Sequence, residues 1–396
     1  MNLVLCFIST FFLLQVLGDV DNKEVFAWKN ITYTKIYGKG NKVYPTEDDF
    51  ILGNSIPTNF AYHSAEDKIF VAVPRIFKGV PHTVTEILVK KHKLGSSPPL
   101  SPFTGRPTKQ LVNVFTTVID DCKEPRLWMM DVDQVEYEDH EGKYENRSVN
   151  IVAFALEEPD YPEIVRFEVP NDLVVEPLSF GGFTVDVLNP DSGCDQTYLY
   201  ITNIDESSMY VFDYKKKEIR KFSHESFKPD GSSYHQRHKF GLFAVALGHR
   251  DENGNRPAYY IPGRSTKLWM INTKILKDAN FEFNPSLIGD RGPNTEAETM
   301  AFDPDTKVLF FGESNSGRIS CWNTKKPFNV ENTDVVNKNE NMIFITALFV
   351  DVKGDLWFMA YTDNPLIDAA KIPSEDPQFR IMKMNSKSAI KGTKCE

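Results

Sequence analysis

Apolar residues occur in short runs along this chain, and polar turn-forming residues separate one run from the next. Asn59–Arg75 is typical, because two segments rich in aromatic and branched residues flank the polar turn Ala65-Glu66-Asp67. Runs of about four to eight such residues, bounded by Asp, Asn, Gly or Pro, predict β-strands joined by turns. Long runs with helical spacing are rare. The pattern therefore predicts an all-β protein.

A strand–turn–strand format repeats six times along the chain. The six units are Asn59–Arg75, Val112–Val132, Gly181–Asn203, Gly241–Gly263, Glu298–Ser314 and Ile345–Tyr361. Their second strands start roughly 45–70 residues apart, a period typical of propeller blades with insertions. One unit cannot bury both of its faces alone, so the units are expected to pack radially and close into a ring. The repeat predicts a six-bladed β-propeller with a central channel and disfavours a pair of β-sandwiches.

The segments outside the six units are assigned by composition. The aromatic segment at residues 25–35 is expected to complete the last blade, which would leave no open sheet edge. Three inserts rich in polar residues, Pro and Gly are predicted to be loops. They are His92–Thr108, Glu136–Ser148 and Lys215–Lys239. We expect residues 19–396 to form a single domain.

The first 18 residues have the pattern of a secretory signal peptide. Residues 3–17 are almost all apolar, and Gly18 supplies a small residue where a signal peptidase would cut. No Lys or Arg precedes the apolar run, which leaves a buried N-terminal helix as the alternative. Charged residues follow at once, however, and the run is too short to span a membrane. We expect a secreted protein, and no later stretch approaches the length of a membrane span.

Four cysteines remain after the signal peptide, which removes Cys6. They are Cys122, Cys194, Cys321 and Cys395, and none lies in a closely spaced pair of the kind that zinc sites use. Two disulfides are therefore predicted, and three pairings are possible. We favour the sequential pairing because it joins neighbouring segments, each bridge then stabilising the fold by about 4 kcal/mol. Asn30 and Asn146 begin sequons for N-glycosylation.

Charge and motifs limit the classes of function. The formal net charge of −10 disfavours nucleic acid and anionic membranes as partners, and it is compatible with cationic small molecules. The sequence contains no recognisable catalytic motif, and no cofactor or metal is predicted. Carboxylates and amides near predicted strand ends leave a calcium-dependent, lactonase-like hydrolase as an alternative. These residues are Asp120, Asp121, Asp131, Asp133, Asn203, Asp205, Glu313 and Asn315.

Aromatic residues are abundant, with 29 Phe, 15 Tyr and 5 Trp. Most are expected to pack between blades. Those that line a propeller channel, together with a few polar groups, would make a pocket for a flat ligand. A protonated amine on such a ligand would require carbonyl or carboxylate oxygens around it.

Several stretches resemble the yellow/major royal jelly family, most closely the yellow-related proteins of sand fly saliva. The matching stretches include VIDDC (Val118–Cys122), FGGFTVDV (Phe180–Val187), NRPAYY (Asn255–Tyr260), FDPDTKVLFF (Phe302–Phe311), CWNT (Cys321–Thr324) and DLWFM (Asp355–Met359). The resemblance implies a six-bladed propeller, the sequential disulfide pairing and secretion in saliva. It also implies a protein that sequesters biogenic amines, namely serotonin and catecholamines, with histamine as a further candidate. We expect the chain to be a monomer.

The resemblance also implies a ligand site at one end of the channel. Thr346 matches the threonine of the family's site, and Phe344 lies two residues before it. Where the family has Asn shortly after the WFM segment, this chain has Tyr361. Asn364 could supply the missing amide after a small shift, or Asp363 could offer a carboxylate to the amine. Weaker or altered amine binding is therefore expected.

Two further functions remain as alternatives. Some yellow-family proteins are linked to dopachrome conversion, which would make this chain an enzyme. A role as a protein-interaction surface, with an empty channel, is the third possibility.

Overall fold

The fold is known from a computed structural model. It describes residues 22–36, 50–133, 148–174, 180–229, 241–263, 265–314, 316–339, 341–363 and 376–396. The predicted signal peptide and the sequon at Asn146 lie outside these residues. Asn30 lies within them and is half-buried just after the first strand.

Six four-stranded antiparallel sheets form the blades of a propeller, as the repeat predicted. Blade 1 contains β2 (Asn59–His63), β3 (Lys68–Ala72), β4 (Val84–Leu88) and β5 (Ser101–Pro102). Blade 2 contains β6 (Val114–Ile119), β7 (Arg126–Val132), β8 (Val149–Ala155) and β9 (Glu163–Glu168). Blade 3 contains β10 (Phe180–Val187), β11 (Thr197–Asn203), β12 (Ser208–Asp213) and β13 (Glu218–Ser223).

The remaining three blades follow the same order from the axis outwards. Blade 4 contains β14 (Leu242–Leu247), β15 (Pro257–Pro262), β16 (Lys267–Asn272) and β17 (Ser286–Asp290). Blade 5 contains β18 (Ala297–Asp303), β19 (Val308–Glu313), β20 (Arg318–Asn323) and β21 (Thr333–Lys338). Blade 6 contains β22 (Phe344–Val350), β23 (Asp355–Tyr361), β24 (Phe379–Asn385) and β1 (Lys23–Trp28).

Helical structure in the described chain is confined to short connections. The two α-helices are α1 (Thr273–Lys277) and α2 (Ser386–Ile390), and the single-turn 3-10 helices are Val89–Lys91, Glu225–Phe227 and Val330–Asn332. No helix among the described residues has the length and apolar character needed to cross a membrane.

The N-terminal strand closes the ring. β1 pairs antiparallel with β24, so that the outermost strand of blade 6 comes from the start of the chain. Phe26 and Trp28 on this strand are 1% exposed. The prediction that the N-terminal aromatic segment completes the last blade is therefore confirmed.

The hydrophobic core lies between neighbouring blades. At the junction of blades 6 and 1, Tyr62 stacks on Trp357 with ring centroids 4.4 Å apart, and Phe60 approaches the same ring at 6.2 Å. Aromatic pairs of this kind contribute about 0.5–1.5 kcal/mol beyond their burial. Because each blade buries its faces only against its neighbours, the stability of every blade depends on closure of the ring.

Two of the inserts predicted to be loops contain strands. His92–Thr108 includes β5, and Lys215–Lys239 includes β13, so the loop prediction was wrong there. These are the outermost strands of their blades. β13 has the sequence EIRKFS with no buried residue, because one face and one edge meet solvent. Such a strand lacks the apolar run on which the prediction depended.

The two disulfides have the sequential pairing. Cys122 bonds Cys194 across 72 residues, and Cys321 bonds Cys395 across 74 residues. The first bridge joins the inner hairpin turns of blades 2 and 3. The second ties the C-terminus to β20 of blade 5. Both bridges therefore link parts of the ring that different blades contribute.

Candidate ligand site in the channel

Five of the six innermost strands contain a local irregularity close to where they start. In β22, for example, Ile345 pairs with Ala360 and Ala347 with Met359, so that Thr346 is an extra residue on its strand. The extra residues in the other strands are Phe115 or Thr116, Gly181 or Gly182, Phe243, and Glu298. All blades share one strand order, so these β-bulges lie at the same end of the channel. Bulges redirect side chains and often occur next to functional sites.

In blade 6 the bulge carries a hydroxyl without a partner. Thr346 is half-buried as a residue, but its Oγ1 atom is buried and makes no hydrogen bond within the described structure. The Tyr361 hydroxyl lies close to this oxygen, and a weak hydrogen-bonding interaction between them partly opposes the rise in the Tyr361 pKa, but the two atoms do not reach hydrogen-bond geometry. A buried hydroxyl left unpaired in this way costs about 1–3 kcal/mol, which a bound donor or acceptor would recover.

Tyr361 lies in the core behind Thr346. Its side chain is 0% exposed, and its hydroxyl donates a hydrogen bond of 2.5 Å to the carbonyl of Pro57 in the neighbouring blade. Burial raises the pKa of this phenol well above its usual value. The ring packs beside Phe344, its partner across the two strands, at 5.9 Å. A ligand could use the Tyr361 hydroxyl only by breaking the bond to Pro57.

Asp363 follows β23 and is half-exposed. The preceding Thr362 donates from Oγ1 to the Pro377 carbonyl at 2.6 Å and accepts a bond of 2.5 Å from Arg380. Arg380 is in turn paired with Glu24 at 3.1 Å. The structure thus places Phe344, Thr346 and Tyr361 on two paired strands, with Asp363 just beyond them. Asn364 lies outside the described residues.

The sequence reasoning did not identify the bulge residues of the other blades. Phe115 and Phe243 are half-exposed on innermost strands, and their backbone carbonyls are held by the neighbouring blade or strand. Thr58 donates to the Phe115 carbonyl at 2.7 Å, and Thr202 donates to the Phe243 carbonyl at 2.9 Å. The strand patterns predicted strands here, but a bulge becomes visible only from the pairing register.

Three carboxylates of the calcium alternative are paired within their own blades, and Asn315 of that set lies outside the described residues. Asp120 accepts from Arg126 Nε at 2.6 Å, and Glu313 accepts from Arg318 Nε at 2.6 Å. Asp131 accepts backbone N–H groups, one of them at 2.7 Å, while burial raises its pKa. Among the described residues, no group of three or more His, Cys, Asp or Glu side chains is placed to hold a metal ion.

Comparison with known proteins identifies the family. The model of the family described as major royal jelly protein matches residues 112–395. The chain belongs to the major royal jelly protein family. This family member is 44% identical to a yellow-related salivary protein of Phlebotomus orientalis, over all of this chain and 98% of the relative. It is 43% identical to a yellow-related salivary protein of Phlebotomus perniciosus, with the same coverage. The resemblance seen in the motifs is thereby confirmed.

Solved structures bear out the fold of this family member. A Bacteroides thetaiotaomicron protein of unknown function superposes with a TM-score of 0.51, covering 92% of this chain and 75% of the other. The two sequences are only 8% identical, so the likeness concerns the fold alone.

Proposed function

We propose that this family member is a secreted salivary protein that binds biogenic amines, such as serotonin and catecholamines, at the bulged end of its channel. Secretion is supported by the salivary relatives and by the two disulfides, which form and persist in oxidising compartments. Binding would remove amines in proportion to the amount of protein, with no turnover. We expect the binding unit to be a monomer.

The observation that carries the proposal is the unpaired Thr346 hydroxyl. Buried polar groups in proteins are almost always hydrogen-bonded, so an exception on a channel-lining strand suggests a partner that binds there. An ammonium or phenolic hydroxyl of an amine would provide one. Phe344, two residues before Thr346, would contribute an aromatic ring to a pocket for a flat ligand, and the carboxylate of Asp363, which follows β23, would attract an ammonium group. The net charge of −10 would favour the approach of cations.

Calorimetric titration with serotonin tests this function. We expect one site per chain. A matched titration with 5-hydroxyindole, which keeps the ring system and lacks the ammonium, should give at least about tenfold weaker binding, because a charge-assisted hydrogen bond contributes about 1.5–3 kcal/mol. Absence of heat with serotonin at high micromolar concentration would refute the proposal. Equal binding of both compounds would show that the ammonium is not recognised.

A further inference from the structure

A carboxylate surrounded by cations lies between blades 3 and 4, at the end of the propeller opposite the β-bulges. Asp186, near the end of β10, is 0% exposed. It accepts from Arg250 Nη2 at 2.9 Å, from Arg256 Nε at 2.9 Å and from Arg256 Nη2 at 2.5 Å. Lys277 Nζ lies 2.9 Å from its other oxygen, and the Tyr200 hydroxyl donates to that oxygen at 3.4 Å. These contacts occupy all the acceptor positions that one carboxylate offers.

Positive charge exceeds negative charge in this cluster. Arg250, Arg256 and Lys277 carry three charges, whereas Asp186 carries one, and the nearby Asp121 can supply a second. Arg256 and Arg250 act on the Asp121 carboxyl and oppose the rise in its pKa that desolvation causes. One positive charge is left over at a place where neighbouring groups are partly withdrawn from water, and uncompensated charge is costly there.

Donor groups in the cluster remain available. Arg250 and Arg256 keep 27% and 16% of their side chains exposed. Within the described residues, Arg250 Nε and Arg256 Nη1 make no hydrogen bond. Burial lowers the pKa of Lys277, and the two arginines lower it further, although Asp186 opposes both effects. An additional anion would therefore find unused guanidinium donors and relieve the repulsion among three cations.

We propose that Arg250, Arg256 and Lys277 form a binding site for a small oxyanion of the phosphate type, between blades 3 and 4 at the opposite end of the propeller from Thr346. Guanidinium groups present paired N–H donors that match two oxygens of a phosphate or carboxylate. A chloride ion is a single acceptor atom and cannot pair with both donors in this way. Asp186 is the fixed counter-ion that holds the three cations together. Asp121 acts as an internal competitor for the entering anion. This site is separate from the proposed amine site.

Titration calorimetry with inorganic phosphate on the full chain tests the site. We expect Arg250→Gln to weaken phosphate binding at least about tenfold, because it removes one charge-assisted donor. Asp121→Asn should strengthen phosphate binding several-fold, because it removes the competing carboxylate. It leaves all contacts of Asp186 in place. Arg106→Gln is the matched control: Arg106 is 65% exposed, and its side chain makes a 3.7 Å ion pair with Asp160 and a 3.3 Å hydrogen bond to the Pro159 carbonyl, both far from Asp186 in the chain, so phosphate binding should not change.

Specific results would overturn the site. The site would be refuted if the wild-type chain did not bind phosphate, or if Arg250→Gln bound phosphate as tightly as the wild type. It would also be refuted if Asp121→Asn showed no gain in phosphate affinity, or if chloride bound as tightly as phosphate. Serotonin titration of the same three variants distinguishes failure of the phosphate site from failure of the amine site. Serotonin affinity should be the same in all three variants. Thermal unfolding of each variant shows whether the ring is intact. If Arg250→Gln fails to fold, Asp121→Asn still decides the question.

Discussion

Two polar side chains, one at each end of the propeller, have unusual surroundings. At one end the Thr346 hydroxyl is buried without a hydrogen-bond partner, and at the other Asp186 is saturated by cations. The first arrangement lacks a polar partner and the second has more charge than one carboxylate neutralises. Both arrangements are energetically costly for the protein alone, and the two proposed ligands would reduce that cost.

Thr346→Val is expected to lower serotonin affinity about tenfold while leaving the free energy of unfolding unchanged or slightly higher. Valine has nearly the same shape, and the lost hydroxyl made no intramolecular hydrogen bond. Calorimetry and urea unfolding measure the two quantities.

Thr299→Val is the matched control for this substitution. Its hydroxyl is also buried and unpaired, but it lies against Gly312, where an added Cβ would be 2.2 Å away. Serotonin affinity should be unaffected by this change. An equal loss in both variants, or none in Thr346→Val, would contradict the role given to Thr346.

His63 is expected to make stability fall as the pH drops below about 6.5. Burial lowers the pKa of this 4%-exposed imidazole, although Glu66 and Glu157 oppose the effect. Because the folded pKa lies below the unfolded value of about 6.5, the unfolded chain binds the proton more readily. The stabilisation is complete above about pH 6.5 and is lost as the pH falls through the folded pKa.

Urea midpoints at several pH values test this dependence. In His63→Phe, which keeps a ring of similar size, the loss of stability towards pH 5 should be smaller than in the wild type. It should not vanish, since burial also lowers the pKa of His82. Identical slopes for the two proteins would exclude His63 as a contributor.

Strands differ in how clearly their sequence marks them. The buried inner and second strands, such as β23 with the sequence DLWFMAY, have long apolar runs and were predicted. The outermost strands were missed where their residues are polar, as in β13. β1 is an exception among outermost strands, because four of its six residues are buried. Its predicted role in closing blade 6 followed from that apolar content.

Phe26→Ala is expected to lower the free energy of unfolding by about 3–5 kcal/mol. The ring is 1% exposed and packs 5.4 Å from Trp28, so truncation leaves a cavity in the strand that closes the ring. Phe281→Ala provides the matched control, because that ring is 40% exposed, and it should change stability by less than about 1 kcal/mol. Urea unfolding measures both. Similar values for the two variants would argue against closure by β1.

The whole molecule is held together by ring closure and by two cross-links. Each disulfide joins elements of different blades, and the second connects the C-terminus after blade 6 back to blade 5. The two ends of the described chain are therefore each attached to the ring, the first through β1 in the sheet of blade 6 and the second through the disulfide of Cys395.

Removing either disulfide is expected to cost about 4 kcal/mol, and the two losses should agree within about 1 kcal/mol. The bridges span 72 and 74 residues, so the loop-closure entropy that they remove from the unfolded chain is nearly the same. Unfolding free energies of the double variants Cys122→Ser/Cys194→Ser and Cys321→Ser/Cys395→Ser test this. A large inequality would mean that native contacts near one bridge, rather than chain entropy, dominate.

The repeat, the closed ring, the number of cysteines and the family could all be inferred from the order of the residues alone. These follow from local features, because strand periodicity, turn residues and motifs are properties of neighbouring residues. Only the folded molecule shows where five of the six innermost strands contain an extra residue, since a bulge exists only relative to the strand it pairs with. Tertiary structure also buried Tyr361 against Pro57 and gathered Asp186, Arg250, Arg256 and Lys277. Those contacts join residues that only radial packing of the blades brings together.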